Sequence, residues 1–139
     1  MAATSFDRLV EEMRRPPFHN WLMPIARGVD DERREVVVAL PFRPDLSLSP
    51  DQPIFHGGVL AALIDIVGHA AAAVWHGAPS PTIALQIDFL RPAIATELLA
   101  KAILRQLGRT VSRVDVEIGD GNKAFVLGRG TFLTRGSET

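Results

Sequence analysis

The sequence predicts an α+β fold in which one long helix packs against a six-stranded antiparallel sheet, with a short helix at the amino terminus. The first observation is a stretch at residues 55–75 that is apolar over most of its length and contains no proline. It predicts a helix of about 16 residues, and its apolar surface nearly all round predicts that this helix is buried. The second observation is the alternation of apolar and polar residues in later segments, which is typical of strands.

Before the long helix, the chain predicts a short helix and two strands. Residues 5–13 form an amphipathic pattern that Ser5 can cap. Residues 22–28 and 34–42 predict strands that a charged turn connects. The proline-rich segment at residues 41–53 predicts a loop that leads into the long helix.

Four further strands are predicted after the long helix. Residues 82–90 alternate cleanly. Residues 97–107 contain leucines and alanines that also favour a helix, and we assign them to a strand because of their neighbours. Residues 110–118 alternate again, and residues 123–133 follow an Asp-Gly-Asn hairpin signal and predict the last strand. The polar tail at residues 135–139 predicts a frayed end.

Composition excludes several classes of function. The chain has 139 residues, which predicts a single domain over residues 1–139 with its core at about residues 18–135. A net charge of −1 and a sequence pI near 6.4 do not favour nucleic acid or an acidic membrane surface as a partner. The absence of cysteine excludes disulfides, thiolate metal sites and a cysteine nucleophile. With no apolar signal core near the amino terminus and no uninterrupted span, we expect a cytoplasmic protein outside the membrane.

Asp65 is the carboxylate in the middle of the apolar stretch. Taking an unpaired carboxylate out of water costs several kcal/mol, so the group must be paired, hydrogen-bonded, protonated or open to a wet pocket. One interpretation is structural, with His69 one turn later as its partner. The other is functional, because a carboxylate at such a position can activate water or attack an electrophile directly.

Gly57 and Gly58 mark the start of the long helix. Free N–H groups at a helix start, with glycines that permit close approach, favour the stabilisation of negative charge on an oxygen. Asp65 lies eight residues beyond Gly57, which is about 12 Å along a helix, so one carbonyl carbon cannot lie near both within one chain. The spacing therefore predicts a two-fold dimer with antiparallel helices, which small residues would allow to approach closely: Ala61, Ala62, Gly68 and Ala72.

Several motifs together resemble those of a known family. Residues 56–59 (His-Gly-Gly-Val) precede a helix that carries Asp65, and residues 88–93 read Asp-Phe-Leu-Arg-Pro-Ala. Residues 108–110 (Gly-Arg-Thr) and the later Asp-Gly hairpin complete the pattern. The chain resembles the hotdog-fold acyl-CoA thioesterases, most closely the phenylacetic-acid-degradation (PaaI-like) branch of the 4-hydroxybenzoyl-CoA thioesterase superfamily.

The resemblance implies a helix wrapped by a curved sheet, and a homodimer, or a tetramer built as a dimer of dimers, with active sites at the subunit interface. It also implies hydrolysis of an acyl-CoA thioester to a free acid and CoA. In that case Asp65 acts as general base or nucleophile, and the Gly57 amide polarises the carbonyl. Thr82 matches a position where a hydroxyl holds the attacking water, although a threonine that merely begins a strand fits equally. His56 either orients the Gly-Gly turn or touches the carbonyl.

Substrate contacts are expected around the same helix, near Gly58. Several relatives carry an Asn where this chain has Pro50, and Gln52 is the candidate to supply an amide instead. CoA carries phosphates, so basic residues should flank the pocket, with Arg109 beside Thr110 as the first candidate. The other basic candidates are Arg91, Arg113, Lys123 and Arg129. The apolar walls of an aromatic or medium-chain acyl pocket are expected to include Phe55, Leu60, Ile64 and Phe89.

The four histidines have no spacing typical of metal ligands, so we expect no metal and no cofactor, CoA being part of the substrate. Two other functions remain open. One is a hotdog enoyl-CoA hydratase or dehydratase, although the hydratase pattern Gly-Asp-x-Asn-Pro-x-His is absent. The other is a non-catalytic acyl-CoA-binding protein, against which a costly carboxylate such as Asp65 argues.

Overall fold

The computed structural model describes residues 2–134, so that Met1 and the tail predicted to fray, residues 135–139, lie outside the described residues. Within the described residues, three α-helices and one 3₁₀ turn, Pro44–Leu46, accompany six strands. The helices are α1 (Ser5–Arg14), α2 (Pro17–Leu22) and α3 (Gly57–His76). The strands are β1 (Ile25–Asp30), β2 (Glu35–Pro41), β3 (Thr82–Phe89), β4 (Glu97–Leu107), β5 (Val111–Gly119) and β6 (Ala124–Leu133).

The strands form one antiparallel sheet in the order β1-β2-β4-β5-β6-β3, with α3 packed against it. This confirms the predicted α+β fold, including the strand at residues 97–107. In sequence order β3 comes directly after α3, yet it pairs only with β6 and therefore forms an edge of the sheet. Because β3 is an edge strand, one side of its backbone has no pairing partner within residues 2–134.

Helix α3 is the centre of the hydrophobic core. Its residues Leu63, Ile64 and Val67 are fully buried, as its apolar composition predicts. The helix is long and apolar enough to cross a membrane by length and composition alone, but most of it is buried inside the fold, as in the core helix of a soluble protein. Gly77, in the left-handed conformation with φ 84°, ends it.

The sheet approaches α3 closely where β6 carries glycine. A Cβ on Gly128 would lie 2.7 Å from Cγ2 of Ile64, so the absence of a side chain at this position lets the backbone of β6 lie against the helix. Gly68 on the helix faces the sheet as well, since a Cβ there would lie 2.9 Å from the Phe132 ring, and Ala72 is fully buried. The prediction that Gly68 and Ala72 help two helices to approach each other is therefore wrong, because both pack inside their own subunit.

Helix α1 begins differently from the prediction. Thr4, not Ser5, is the N-cap: its hydroxyl accepts from the Asp7 N–H, and the Asp7 carboxylate accepts from the Thr4 N–H, each at 3.0 Å. This reciprocal pair is a capping box. Ser5 instead donates to Oδ1 of Asp31 at 2.5 Å, and the indole N–H of Trp75 donates to the same oxygen at 3.0 Å. We call this arrangement the Asp31 clasp; it joins the start of α1, the β1–β2 turn and the end of α3.

The segment after α1 also departs from the prediction. Residues 17–22 form the short helix α2, so that β1 begins at Ile25 rather than at residue 22. Pro17 takes the first helical position, where its missing N–H costs no hydrogen bond, and Met23 ends the helix with φ 62°. Helix α1 contributes Leu9 and Met13 to the core, which therefore extends further toward the amino terminus than residue 18.

Candidate active site

One stripe of α3 stays partly open while the rest of the helix is buried. The residues of this open stripe follow one another at helical spacing: Gly58, Ala61, Ala62, Asp65 and His69. The stripe lies beside the edge strand β3, which runs antiparallel to the helix. Thr82, at the start of β3, contacts Asp65, while Phe89, at its end, lies near Gly57. The charged group that the sequence singled out is therefore accessible from solvent rather than sealed in the core.

Asp65 is held by Thr82. The Thr82 hydroxyl donates to Oδ1 of Asp65 at 2.5 Å, and Oδ2 accepts no hydrogen bond from any residue among 2–134. The structural interpretation that pairs Asp65 with His69 is wrong, because His69 faces the carboxylate of Glu12, with Nδ1 and Oε2 3.6 Å apart. Asp65 thus has one oxygen fixed and one free, which is a suitable arrangement for accepting a proton or attacking an electrophile.

The start of α3 presents a free donor. His56 is the N-cap residue, and its Nδ1 accepts from the Gly58 N–H at 2.8 Å. Its carbonyl accepts from the N–H groups of Val59 and Leu60. The Gly57 N–H has no acceptor within residues 2–134, so it is available to a ligand. This placement agrees with the interpretation of His56 as the residue that orients the glycine turn, and it leaves the Gly58 N–H occupied.

Most of the residues predicted to form the walls of an acyl pocket lie in the hydrophobic core instead. Phe55, Leu60 and Ile64 are at least 97% buried within the subunit, so they offer no surface to a ligand there. Phe55 packs edge-on against Phe42 in the core, with ring centroids 5.2 Å apart. Among the predicted walls, Phe89 is the exposed one, at 56%, and its ring lies 3.7 Å from the position of a Cβ on Gly57. Of these residues, Phe89 is the one placed to contact a ligand beside the start of α3.

The polar substrate candidates lie on the surface. Gln52 is exposed in the loop before α3, and its backbone carbonyl accepts from the Ser47 hydroxyl at 2.7 Å. Arg109 and Thr110 are exposed in the turn between β4 and β5, where the Thr110 carbonyl accepts from the N–H of Thr134 at 2.8 Å.

Arg129 is already paired. On the sheet face opposite α3, Asp115 accepts from Arg129 at 2.6 Å and from Arg105 at 2.8 Å, beside a cavity of about 500 Å³. The hydrogen bond from Arg129, with that from Arg105, holds the pKa of Asp115 below its ordinary value despite partial burial. Of the basic candidates, Arg91, Arg109, Arg113 and Lys123 form no ion pair within residues 2–134.

A second polar cluster surrounds His69, one helical turn after Asp65 on α3, and it was not predicted from the sequence. It consists of Glu12 on α1, His69 on α3 and Ser80 in the loop before β3, and Glu12 and Ser80 are buried. Burial lowers the pKa of His69, opposed by the negative charges of Glu12 and Asp65 and reinforced by Arg15 and His19. The signal available in the sequence was Glu12 itself, which falls on the apolar stripe of α1 between Leu9 and Met13.

A long helix wrapped by a six-stranded antiparallel sheet defines the hotdog class of proteins. In this chain the helix also carries an accessible carboxylate at its middle and a free amide at its start. The family model described as Thioesterase superfamily matches residues 52–125, more than half of the chain. The chain therefore belongs to the thioesterase superfamily.

Solved structures agree with this assignment. A phenylacetic acid degradation-related protein from Ralstonia eutropha JMP134 is 27% identical over 94% of this chain and 99% of its own, with a TM-score of 0.79. A mutant of phenylacetic acid degradation protein PaaI from Thermus thermophilus is 28% identical over 85% and 98%, with a TM-score of 0.72. AziG from S. sahachiroi is 27% identical over 86% and 97%, with a TM-score of 0.75. None of the curated proteins compared with the chain matches its sequence.

Proposed function

We propose that this protein is an acyl-CoA thioesterase that hydrolyses an aromatic or medium-chain acyl-CoA to the free acid and CoA. The observation that carries the proposal is the accessible Asp65 with one oxygen fixed by Thr82 and the other free. Membership of the thioesterase superfamily supports the reaction class. The similarity to proteins of phenylacetic acid degradation supports an aromatic acyl group, without excluding an aliphatic one.

The proposed hydrolysis needs few groups. Asp65 takes a proton from water, and the resulting hydroxide forms a bond to the thioester carbon. The carbonyl oxygen becomes an oxyanion, which the Gly57 N–H stabilises. The C–S bond then breaks, and the CoA thiolate recovers the proton from Asp65. Direct attack by Asp65 on the carbonyl carbon, followed by hydrolysis of the anhydride, is the alternative that the same residues permit.

We propose further that the site is completed by a second copy of the chain. Gly57 and Asp65 are about 12 Å apart along one helix, so a single subunit cannot bring both to one carbonyl. The edge strand β3 supplies a surface for the second copy, because Ile83 and Phe89 are more than half exposed on it. An antiparallel pairing of two β3 strands about an axis between Leu85 and Gln86 would set Thr82 of one chain opposite Phe89 of the partner subunit.

That pairing would produce two equivalent sites. Since Thr82 holds Asp65 and Phe89 lies beside Gly57, each site would combine the carboxylate of one chain with the amide of the other. The exposed ring of Phe89 would then face the acyl group. Surface cations, with Arg109 first, would contact the CoA phosphates, and no further cofactor is needed.

The test is release of free thiol from a panel of aromatic and aliphatic acyl-CoAs by the wild type and by Asp65→Asn. The substitution keeps an oxygen that can accept from Thr82 but removes the basic carboxylate. We expect turnover by the wild type and a loss of roughly 10²-fold or more in the variant. Hydration of an enoyl-CoA double bond without thiol release would identify a hydratase. Binding of acyl-CoA without either reaction would identify a binding protein, and both outcomes would refute the proposal.

A further inference from the structure

Two hydrogen bonds link α3 to the chain that leads into β3. In the outer one, the Thr82 hydroxyl donates to Asp65 at 2.5 Å. In the inner one, the Ser80 N–H donates to Nε2 of His69 at 3.1 Å. Asp65 and His69 are four residues apart on the helix, a rise of about 6 Å. Ser80 and Thr82 are two residues apart on extended chain, which spans about 6.6 Å. The two hydrogen bonds are therefore roughly parallel, because their ends are separated by similar distances on the helix and on the chain before β3.

The inner bond fixes the ionisation and orientation of His69. Because Nε2 accepts a hydrogen bond from the Ser80 N–H, His69 is neutral and carries its own proton on Nδ1. That nitrogen faces Oε2 of Glu12, 3.6 Å away. The Glu12 carboxylate is itself held by Arg15, whose Nη2 donates to both of its oxygens at 3.2 Å. The imidazole is thus held from α1 on one side and from the loop before β3 on the other.

His69 is also fixed by packing. The ring of Phe132 meets it edge-on at 6.3 Å between centroids. Ser80 is fully buried, and the next carbonyl, that of Pro81, accepts from the Leu133 N–H at 2.7 Å. The segment at residues 80–82 is therefore hydrogen-bonded to β6 through Pro81 and to His69 through Ser80. Removing the His69 acceptor leaves the buried Ser80 N–H without a partner, which the segment can relieve only by moving.

We propose that His69, supported by Glu12, is a positioning residue that sets the Thr82 hydroxyl on Asp65 for thioester hydrolysis. This inference rests on the proposed function. Its role is indirect: His69 holds Ser80, Ser80 sets the entry to β3, and the entry to β3 sets Thr82. A shift of the Thr82 hydroxyl would release the fixed oxygen of Asp65, and a displacement of about 1 Å at a reacting group can cost up to 10²-fold in rate.

A matched pair of substitutions tests this role. His69→Asn keeps a polar group at the position of Nδ1, facing Glu12, but does not reach Ser80. His69→Gln extends an amide oxygen to the position of Nε2 and can still accept from the Ser80 N–H. We expect His69→Asn to lower kcat by about tenfold with KM within about twofold, and His69→Gln to retain kcat within about twofold. The control is His76→Asn on the same helix. Nε2 of His76 is buried without a partner within residues 2–134, so this substitution breaks no hydrogen bond of that atom and should leave kcat unchanged.

A double-mutant cycle separates positioning from general stability. If His69 acts through Thr82, then Thr82→Val lowers kcat by itself, and His69→Asn lowers it no further in the Thr82→Val background. Multiplicative effects of the two substitutions, or full activity of His69→Asn, would overturn the inference while leaving thioesterase activity intact. A merely structural role would make the two effects independent and would let His69→Gln lose activity as well.

Hydrogen exchange gives a readout that does not depend on activity. The Ser80 amide should exchange about tenfold faster or more in His69→Asn than in the wild type, and should regain protection in His69→Gln. Unchanged protection in His69→Asn would refute the link between His69 and the segment before β3. Absence of thiol release from the wild type would instead refute the proposed function, so the two failures are distinguishable.

Discussion

Replacing Gly57 with proline removes a single backbone N–H from the candidate site. Gly57 is the first residue of α3, where proline is well accepted, and its N–H has no acceptor within residues 2–134. His56, with φ −62° and ψ 138°, already has the backbone conformation that a residue before proline prefers. A Cβ at position 57 would lie 3.7 Å from the Phe89 ring, an ordinary contact. We therefore expect Gly57→Pro to fold normally.

The expected kinetic effect is large. Removing one donor to a developing oxyanion costs roughly 10²–10³ in kcat, or about 2.7–4 kcal/mol. The matched comparison is Gly57→Ala, which adds the same Cβ but keeps the N–H, so the difference between the two variants measures the amide. Thiol release under saturating acyl-CoA gives kcat, and thermal unfolding of both variants checks the fold. If Gly57→Pro and Gly57→Ala have equal kcat, the Gly57 amide does not stabilise the oxyanion.

The same variant tests whether a site is shared between chains. Gly57→Pro and Asp65→Asn homodimers should both be nearly inactive, because every site lacks either the amide or the carboxylate. In a heterodimer, one site would combine Asp65 of the first chain with Gly57 of the partner subunit, both intact. Equal mixing with free exchange would give half heterodimers, and so about a quarter of wild-type activity. No recovery after refolding the mixture would show that each site lies within one chain.

Three further predictions concern stability. Gly128→Ala should lower the free energy of unfolding by about 1–3 kcal/mol in urea, because the new Cβ would lie 2.7 Å from Ile64; an unchanged value would mean that the sheet can yield there. Thr4→Ala removes the capping box and should cost about 0.5–2 kcal/mol in the same assay, unless Asp7 caps α1 alone. The folded chain lowers the pKa of His69 from 6.5, so the unfolded chain binds its proton first. The stability due to neutral His69 should therefore be full above pH 6.5 and be lost as the pH falls through its folded pKa, whereas in His69→Gln this part of the pH dependence of unfolding should be absent.

The parts of the fold that the sequence predicted are those where one signal dominates. Strand β3 alternates in sequence except at Ala84, and the long apolar stretch around Asp65 could only be buried. The helix α2 was not predicted because Pro17 lies just after the α1 pattern, where a proline usually ends a helix, although a proline can equally begin one. Similarly, Thr4 and Ser5 are both good N-caps, and the choice depends on whether Asp7 can close the capping box.

The site was predictable only where chemistry marks single residues. Asp65 is conspicuous because a carboxylate in an apolar helix is costly without a use, and Gly57 because it lies where a helix start leaves backbone N–H groups free. The orientation of side chains around α3 was not predictable, since a helix that is apolar all round does not indicate which face meets the sheet. For that reason Ile64 was assigned to the pocket and Gly68 to the subunit contact, while the structure packs both against β6 and its neighbours. Glu12 contacts His69 across elements far apart in sequence, which no local pattern reports.

The Asp31 clasp has a consequence for the amino terminus. One oxygen of the Asp31 carboxylate accepts from both Ser5 and Trp75, and Arg8 of α1 donates to the Val74 carbonyl at 3.4 Å, so that detaching α1 would break its hydrogen bonds to the β1–β2 turn and to the end of α3. The detachment would also uncover Leu9, which is fully buried, and would withdraw Glu12 from His69. The first turns of the chain therefore belong to the same cooperative unit as the core helix. Trimming or fusing the protein within its first 14 residues would act on the surroundings of Asp65 as well as on the amino-terminal helix.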